Sequence, residues 1–142
     1  MKTSESKYCQ CLYFSTNALA RKVEKLALES WKKVGLSPSL AYLLMAVIEE
    51  PGIQPTMLAK QLQLQPSTIT RLIEKLETGK LLHRKMEGKV THVFPAAKAK
   101  EMLPRLKECL QHFYQRYVKI IGKEESALLV QTLTRAADKL ED

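Results

Sequence analysis

The chain has 142 residues, 45% of them hydrophobic and only 6% aromatic, which is enough apolar material for one domain and its core. A net charge of +8 and an isoelectric point near 9.4 point to a polyanionic partner, either nucleic acid or an acidic membrane surface. The longest uninterrupted apolar run, Leu40 to Ile48, is about half of what crossing a bilayer requires, so a membrane-spanning protein is excluded.

The N-terminus MKTSESKYCQC has no apolar signal core, and three cysteines are an odd count for a disulfide framework. Both features argue for a reducing cytoplasm. From about Tyr8 to Lys33 the pattern is one long helix. Leu12, Thr16, Leu19, Val23, Leu26, Ser30 and Val34 recur at alternating intervals of three and four, a seam that packs on another helix in this chain or in a second subunit. Gly35 closes it. Ser37-Pro38 then caps and opens a second helix running to Glu50, with Leu40, Leu43, Leu44, Val47 and Ile48 inward, and Pro51-Gly52 ends it.

A short third helix begins at Pro55-Thr56 and packs through Leu58, Ala59 and Leu62. Gln63-Leu64-Gln65 forms the turn, with Gln63 where glycine often stands and so under mild backbone strain. Pro66 at a first helical position opens a fourth helix of about 13 residues, with Ile69, Leu72, Ile73 and Leu76 in an apolar stripe. The opposite face carries Ser67, Thr70, Arg71, Glu74 and Lys75, with Thr68 at its flank. Gly79 is expected to adopt the positive φ that ends the helix.

Beyond Gly79 the period switches to two. Leu82, Arg84 and Met86 alternate with His83 and Lys85, a tight turn falls at Glu87-Gly88, and Lys89 to Phe94 returns as a second strand closed by Pro95. A long helix follows from about Ala96 to Ile121, apolar through Ala99, Met102, Leu103, Leu106, Leu110, Phe113, Tyr117 and Ile120. Pro104 inside it is expected to bend the helix or displace its start. After Gly122 a last helix, Lys123 to Leu140, turns Leu128, Leu129, Leu133, Ala136, Ala137 and Leu140 inward.

This order is mostly α with a small β-hairpin wing: a winged helix-turn-helix flanked by long N- and C-terminal helices. The single domain spans 1–142, with a DNA-binding region at 37–95 and dimerisation helices at 8–34 and 96–142. Residues 60–100 hold nine Lys and Arg against three acids, a balance of +6 out of the chain's +8, which favours DNA binding over a merely structural helical hairpin. Leu19, Val23, Leu26, Phe113, Tyr117, Leu129 and Leu133 leave a large apolar surface in a monomer, so a symmetric homodimer suited to a pseudo-palindromic operator is expected.

With GLSPSLAYLLMAVIEEPG, LAKQLQLQPSTITRLIEKLETGKLLHR and the helical flanks in view, the sequence resembles the MarR family of bacterial transcription regulators over nearly its whole length. The resemblance implies a dimer with intertwined terminal helices. Each recognition helix enters a major groove, each wing lies along a minor groove or phosphate backbone, and a ligand or oxidant sensed near the boundary of the two regions shifts the spacing of the heads. Matched by position, Ser67, Thr68, Thr70 and Arg71 face DNA, and Arg84, Lys85 and Lys89 serve the wing. The wing departs from the family in its short tip, Met86-Glu87-Gly88-Lys89, which has no arginine to probe the minor groove.

Read from their chemistry, Arg71 is the candidate base reader through guanine O6 and N7, Lys75 lies at the groove edge, and Thr56 sits where first-turn N–H groups meet phosphate. Lys85 and Lys89 bind phosphate without sequence choice. Cys9-Gln10-Cys11 is similar to the reactive-cysteine segment of the family's hydroperoxide-sensing branch, and is weighed against two reduced, partly buried thiols. Cys109 is assigned to the core, His92 to the wing surface and His112 to the neighbourhood of the dimer seam. With no second paired ligand motif, no metal site is expected, and no cofactor. Tyr8, Tyr13, Tyr42, Tyr114 and Trp31 either line a ligand cavity or serve as packing.

The functional expectation is a dimeric, non-enzymatic transcription regulator, a repressor released by a small ligand or an oxidant. The competing readings are a thiol redox enzyme using Cys9 and Cys11, which lacks a nearby His or Cys-x-x-Cys, and a protein-binding winged helix without a DNA function.

Overall fold

A computed structural model describes residues 1–141. Six helices and one two-stranded antiparallel hairpin follow in the order α1 (Leu12–Trp31), α2 (Pro38–Glu49), α3 (Pro55–Leu62), α4 (Pro66–Thr78), β1 (Leu82–Glu87), β2 (Val90–Pro95), α5 (Ala97–Ile121) and α6 (Lys123–Lys139). The mostly helical class with a β-hairpin wing is therefore as the sequence reads.

α1 starts later than its periodicity suggests, at Leu12 instead of Tyr8. Local bonds hold the preceding residues in turns: the Tyr8 N–H donates to Ser6 Oγ at 3.2 Å, and Ser15 Oγ donates to the Cys9 carbonyl at 2.9 Å. Side-chain hydroxyls competing for backbone groups in this way stop a helix from propagating backwards. At the other end α1 tightens into a 3-10 turn, Lys32–Val34, and Gly35 stops it at φ 70°.

α2 is the hub. Ser37 Oγ accepts from the Leu40 N–H at 3.3 Å, Pro38 occupies the first turn, and Leu40, Ala41, Leu43, Leu44, Met45 and Val47 are all buried. A helix buried on nearly every side belongs at the centre of a domain. Around it one continuous core gathers Trp31 from α1, Leu58 from α3, Ile69, Ile73 and Leu76 from α4, Val93 from β2, and Leu106 and Cys109 from α5. α1 and α5 thus share the core of the helix-turn-helix and are not appendages to it.

The turn between α3 and α4 is strained where expected. Gln63 lies at φ 55°, ψ 43°, and its side-chain amide donates to the Lys60 carbonyl at 2.8 Å. The end of α4 differs from expectation: Gly79 has φ −76° and the left-handed residue is Lys80, at φ 60°. The cause is burial. The Leu81 N–H reaches back to the Leu76 carbonyl at 3.0 Å, closing a helix-terminal motif that packs buried Leu81 against buried Leu76. Had Gly79 been the left-handed residue, Lys80 would occupy that apolar position.

β1 and β2 pair from Leu82↔Pro95 to Glu87↔Val90, so the tight turn is Gly88-Lys89, with Gly88 at φ 63°, and Glu87 is the last residue of β1. Ile53 pairs with Val93 on the other edge of β2 as a single antiparallel bridge. In α5, Pro104 neither displaces the start nor ends the helix. The carbonyl it leaves without a helical partner is that of Lys100, and both residues are exposed, so that carbonyl is open to solvent. α6 follows Gly122 and buries only Ser126. Leu128, Leu133, Ala136, Ala137 and, just after the helix, Leu140, expected to turn inward, are exposed in the single chain.

Candidate nucleic-acid interface

The pattern of α4 separates two faces sharply. Ile69, Ile73 and Leu76 are buried against α2, while Ser67, Thr70, Arg71, Glu74 and Lys75 are exposed and Thr68 is half-buried at the boundary. At the helix start Pro66 contributes no N–H, and Gln65 makes no side-chain capping bond. The first turn therefore points an uncapped amide, that of Ser67, toward solvent beside the exposed hydroxyls. Such a terminus attracts anionic oxygen. Thr56 holds the same position in α3, one residue after Pro55, and is exposed.

Two local contacts set what this face can do. Thr70 Oγ1 donates to the Pro66 carbonyl at 3.1 Å, leaving its lone pairs to accept. Arg71 Nη2 approaches Thr68 Oγ1 at 3.5 Å, a long contact that leans the guanidinium toward the helix start and leaves most of its N–H groups free. Ser67, Thr68, Thr70 and Arg71 thus form one patch, as the sequence anticipates, and Lys75 stands one turn further along.

The wing residues divide. Lys85, on β1, and Lys89, in the turn, are exposed, and among the described residues neither is in an ion pair. Arg84 is not a free wing cation. Its Nη2 donates to Glu77 Oε1 at 2.7 Å, and its Nε and its backbone N–H both donate to Glu77 Oε2, at 3.4 and 3.2 Å. The hydrogen bond from this guanidinium holds the Glu77 carboxyl below the usual carboxylate range, and the carboxylate in turn pushes Arg84 up. Glu77 was not legible as a partner, because the left-handed turn at Lys80 that folds β1 back is not visible in a separation of seven residues.

His92 is also placed differently from its expected surface position. It is half-buried, and its Nδ1 donates to the Gly52 carbonyl at 2.9 Å, tying the wing to the turn after α2. His112 lies at the α1–α5 contact, its Nδ1 3.0 Å from Oγ of the fully buried Ser30. Cys109 is buried, and that burial pushes its thiol up. Cys11 is the exposed residue preceding α1 and Cys9 is half-buried before it. Among the described residues no group of three or more His, Cys, Asp or Glu could hold a metal ion.

A cleft of about 350 Å³ lies between α2 and α5, lined by Tyr42, Leu110, Gln111, Phe113, Tyr114 and Tyr117. Tyr42 belongs to the helix-turn-helix and the others to the long C-terminal helix. Trp31 underlies the junction, with ring centroids 5.5 Å from Tyr42 and 5.6 Å from Phe113. Burial pushes the Tyr42 hydroxyl up. Of the aromatic residues weighed in the sequence, Tyr42 and Tyr114 line this cleft and Trp31 is core, whereas Tyr8 and Tyr13 are exposed at the N-terminal end and line none of it.

Residues 34–89, the segment from the end of the α1 turn to the tip of the wing, match the profile of the MarR family. That match covers the helix-turn-helix and most of the wing, and over it the chain is similar to the MarR family. It is 24% identical over 133 residues to the HTH-type transcriptional repressor MdtR of Bacillus subtilis strain 168, covering 89% of this chain and 86% of that protein. The fold is similar to CouR from Rhodococcus jostii RHA1 bound to p-coumaroyl-CoA, with a TM-score of 0.75 at 18% identity over 96% of this chain and 95% of that one. It is also similar to the S. aureus MepR–DNA complex, with a TM-score of 0.77 at 15% identity, covering 90% and 97% of the two chains. The fold of these two structures, terminal helices included, is therefore shared by this chain. Among the described residues no helix is long and apolar enough to cross a membrane.

Proposed function

We propose that this protein is a sequence-specific transcription regulator of the MarR family that acts in the cytoplasm as a homodimer on double-stranded DNA, repressing until a small ligand or an oxidant releases it. The observation that carries the reading is the patch on α4: exposed Ser67, Thr70, Arg71 and Lys75 and half-buried Thr68 beside an uncapped helix start, with unpaired Lys85 and Lys89 on the wing nearby. Arg71 reads a base, the hydroxyls and Thr56 contact bases or phosphate, and Lys85 and Lys89 neutralise phosphate. Within 1–142, residues 37–95 act as the DNA-binding region, and 8–34 with 96–142 as the dimerisation helices; Asp142 lies outside the described residues. Arg84 is a member of the interface through Glu77 before it is a phosphate ligand.

The relatives support this reading by what their names state: MdtR is a repressor, MepR was solved with DNA, and CouR with p-coumaroyl-CoA. The α2–α5 cleft is the place for a small-molecule effector, because an occupant wedged between Tyr42 and the α5 aromatics alters how the head sits on the long helix. An oxidant would act at Cys9 or Cys11. The protein works by binding and not by turnover.

The test is a titration of random-pool-selected duplex with purified protein at several salt concentrations, with and without peroxide. A selected palindrome bound by a dimer, with affinity falling steeply with salt, is the expected result. A stable monomer indifferent to duplex at low ionic strength would overturn the proposal.

A further inference from the structure

The two edges of the wing are held by different means. On the β2 edge, the Gly52 N–H donates to the Val93 carbonyl at 2.8 Å, the Val93 N–H donates to Ile53 at 3.0 Å, and His92 bonds Gly52. These contacts stitch β2 to the turn after α2. β1 is the outer strand, and after Leu82 all its residues are exposed. Residues 79–81 join it to α4 through one left-handed lysine. Among the described residues, the only side-chain hydrogen bonds from β1 back to α4 are those of Arg84 to Glu77, and they engage both carboxylate oxygens and the Arg84 backbone amide.

We propose that Glu77 and Arg84 are positioning residues that lock the outer wing strand to the recognition helix, so that Arg71 and the wing lysines reach a duplex as one rigid body. This deepens, and rests on, the reading of α4 and the wing as a DNA-binding face. Glu77 sits on a surface otherwise rich in cations, where a carboxylate repels a polyanion. Its value there is geometric. The pair is about one-third exposed on each side, 36% for Arg84 and 34% for Glu77, so it adds little to global stability. The buried Ile73, Leu76, Leu82 and Val93 keep the domain folded without it. What the pair governs is orientation. A hairpin hinged at Lys80 and free on its outer edge samples positions in which Lys85 and Lys89 miss the backbone track that α4 defines, and that lost preorganisation appears as weaker binding.

Charge and geometry predict opposite signs for Glu77→Gln. If only charge mattered, removing an acid would tighten binding to DNA. Positioning predicts the reverse: each head loses about threefold, and a dimer about tenfold, against matched and unrelated duplexes alike, with the thermal midpoint close to that of the wild type. Arg84→Ala should weaken binding with the salt slope unchanged, and the exchange of charges in Glu77→Arg/Arg84→Glu should recover most of the affinity. In the protein without DNA, the Arg84 amide should exchange with solvent faster in Glu77→Gln than in the wild type, while the Val93 amide does not. Equal or tighter DNA binding by Glu77→Gln, or a salt slope lowered by about one counterion in Arg84→Ala, overturns the lock and assigns Arg84 to phosphate. If the wild type binds no duplex, the DNA-binding reading fails, and the amide measurement alone decides the lock: unchanged exchange at Arg84 rejects it.

Discussion

At the scale of single residues, two side chains are held in a backbone conformation that suits glycine. Gln63 and Lys80 both have φ near 60°. Left-handed backbone costs a residue with a Cβ about 1 kcal/mol, and part of that is returned because glycine loses more entropy on folding. Lys80→Gly is therefore expected to raise the unfolding free energy by about 0.5 kcal/mol in urea denaturation, and Gly79→Ala, at φ −76°, to cost little. A Lys80→Gly variant that unfolds more easily would mean that the lysine side chain makes a contact worth more than its strain. The residues proposed to face DNA separate by function at the same scale. Arg71→Ala should lose about 1–3 kcal/mol of discrimination between matched and scrambled operators. Lys89→Ala should instead weaken all sequences alike and flatten the salt dependence by about one contact. Equal losses on both operators for Arg71→Ala would remove its reading role.

Between elements, the structure joins helices and wing through a few polar ties whose charge states matter. Glu77 binds Arg84 across the α4–β1 junction, and Glu29 of α1 binds Arg116 of α5, with Arg116 Nη1 2.5 Å from Glu29 Oε2. In both, the hydrogen bond from the arginine holds the carboxyl below its ordinary range. A carboxyl depressed by folding contributes stability that is fully present above its unfolded pKa and is lost as pH falls through the folded value. The acid limb of the stability profile should therefore be shallower in Glu29→Gln and Glu77→Gln than in the wild type: each variant is slightly less stable at neutral pH, and the small difference closes as pH falls through the folded pKa. Denaturation midpoints at neutral and acidic pH check this, and parallel profiles for wild type and variants would show that neither tie is coupled to folding. These junctions were the least legible part of the sequence. Periodicity marks each helix and strand, but it carries no information on which carboxylate meets which guanidinium after the chain turns.

For the whole molecule, the exposed apolar surface is the dominant feature. Ile120 is 69% exposed, Leu128 62% and Leu140 76%, and all lie on the terminal helices α5 and α6 or just beyond. Leu19, Val23, Leu129 and Leu133 line an open apolar groove beside them, formed by α1, α5 and α6. A single chain does not leave so much contiguous apolar surface wet, and in the proposed homodimer a second copy related by a two-fold axis would cover both sets at once. Replacing Leu128 and Leu133 together by glutamate should convert the dimer to a monomer in sedimentation equilibrium and abolish high-affinity operator binding while the core around α2 stays folded. A double variant that remains dimeric would place the interface elsewhere.

The chain's own pattern of apolar residues, prolines and glycines was sufficient for the helices, the hairpin and the face of α4 that meets solvent, because each depends on neighbours within a few residues and on one buried stripe. It was likewise sufficient for Ser67, Thr68, Thr70 and Arg71 as a single patch, since a helix places near neighbours in sequence side by side. Tertiary structure alone decided that Arg84 is engaged by Glu77, that His92 turns to Gly52, and that Lys80 takes the left-handed position so that Leu81 can be buried. Each of these outcomes is a competition between groups distant along the chain or on opposite sides of a turn, and its winner is set by burial and hydrogen-bond geometry that exist only once the core around α2 has formed.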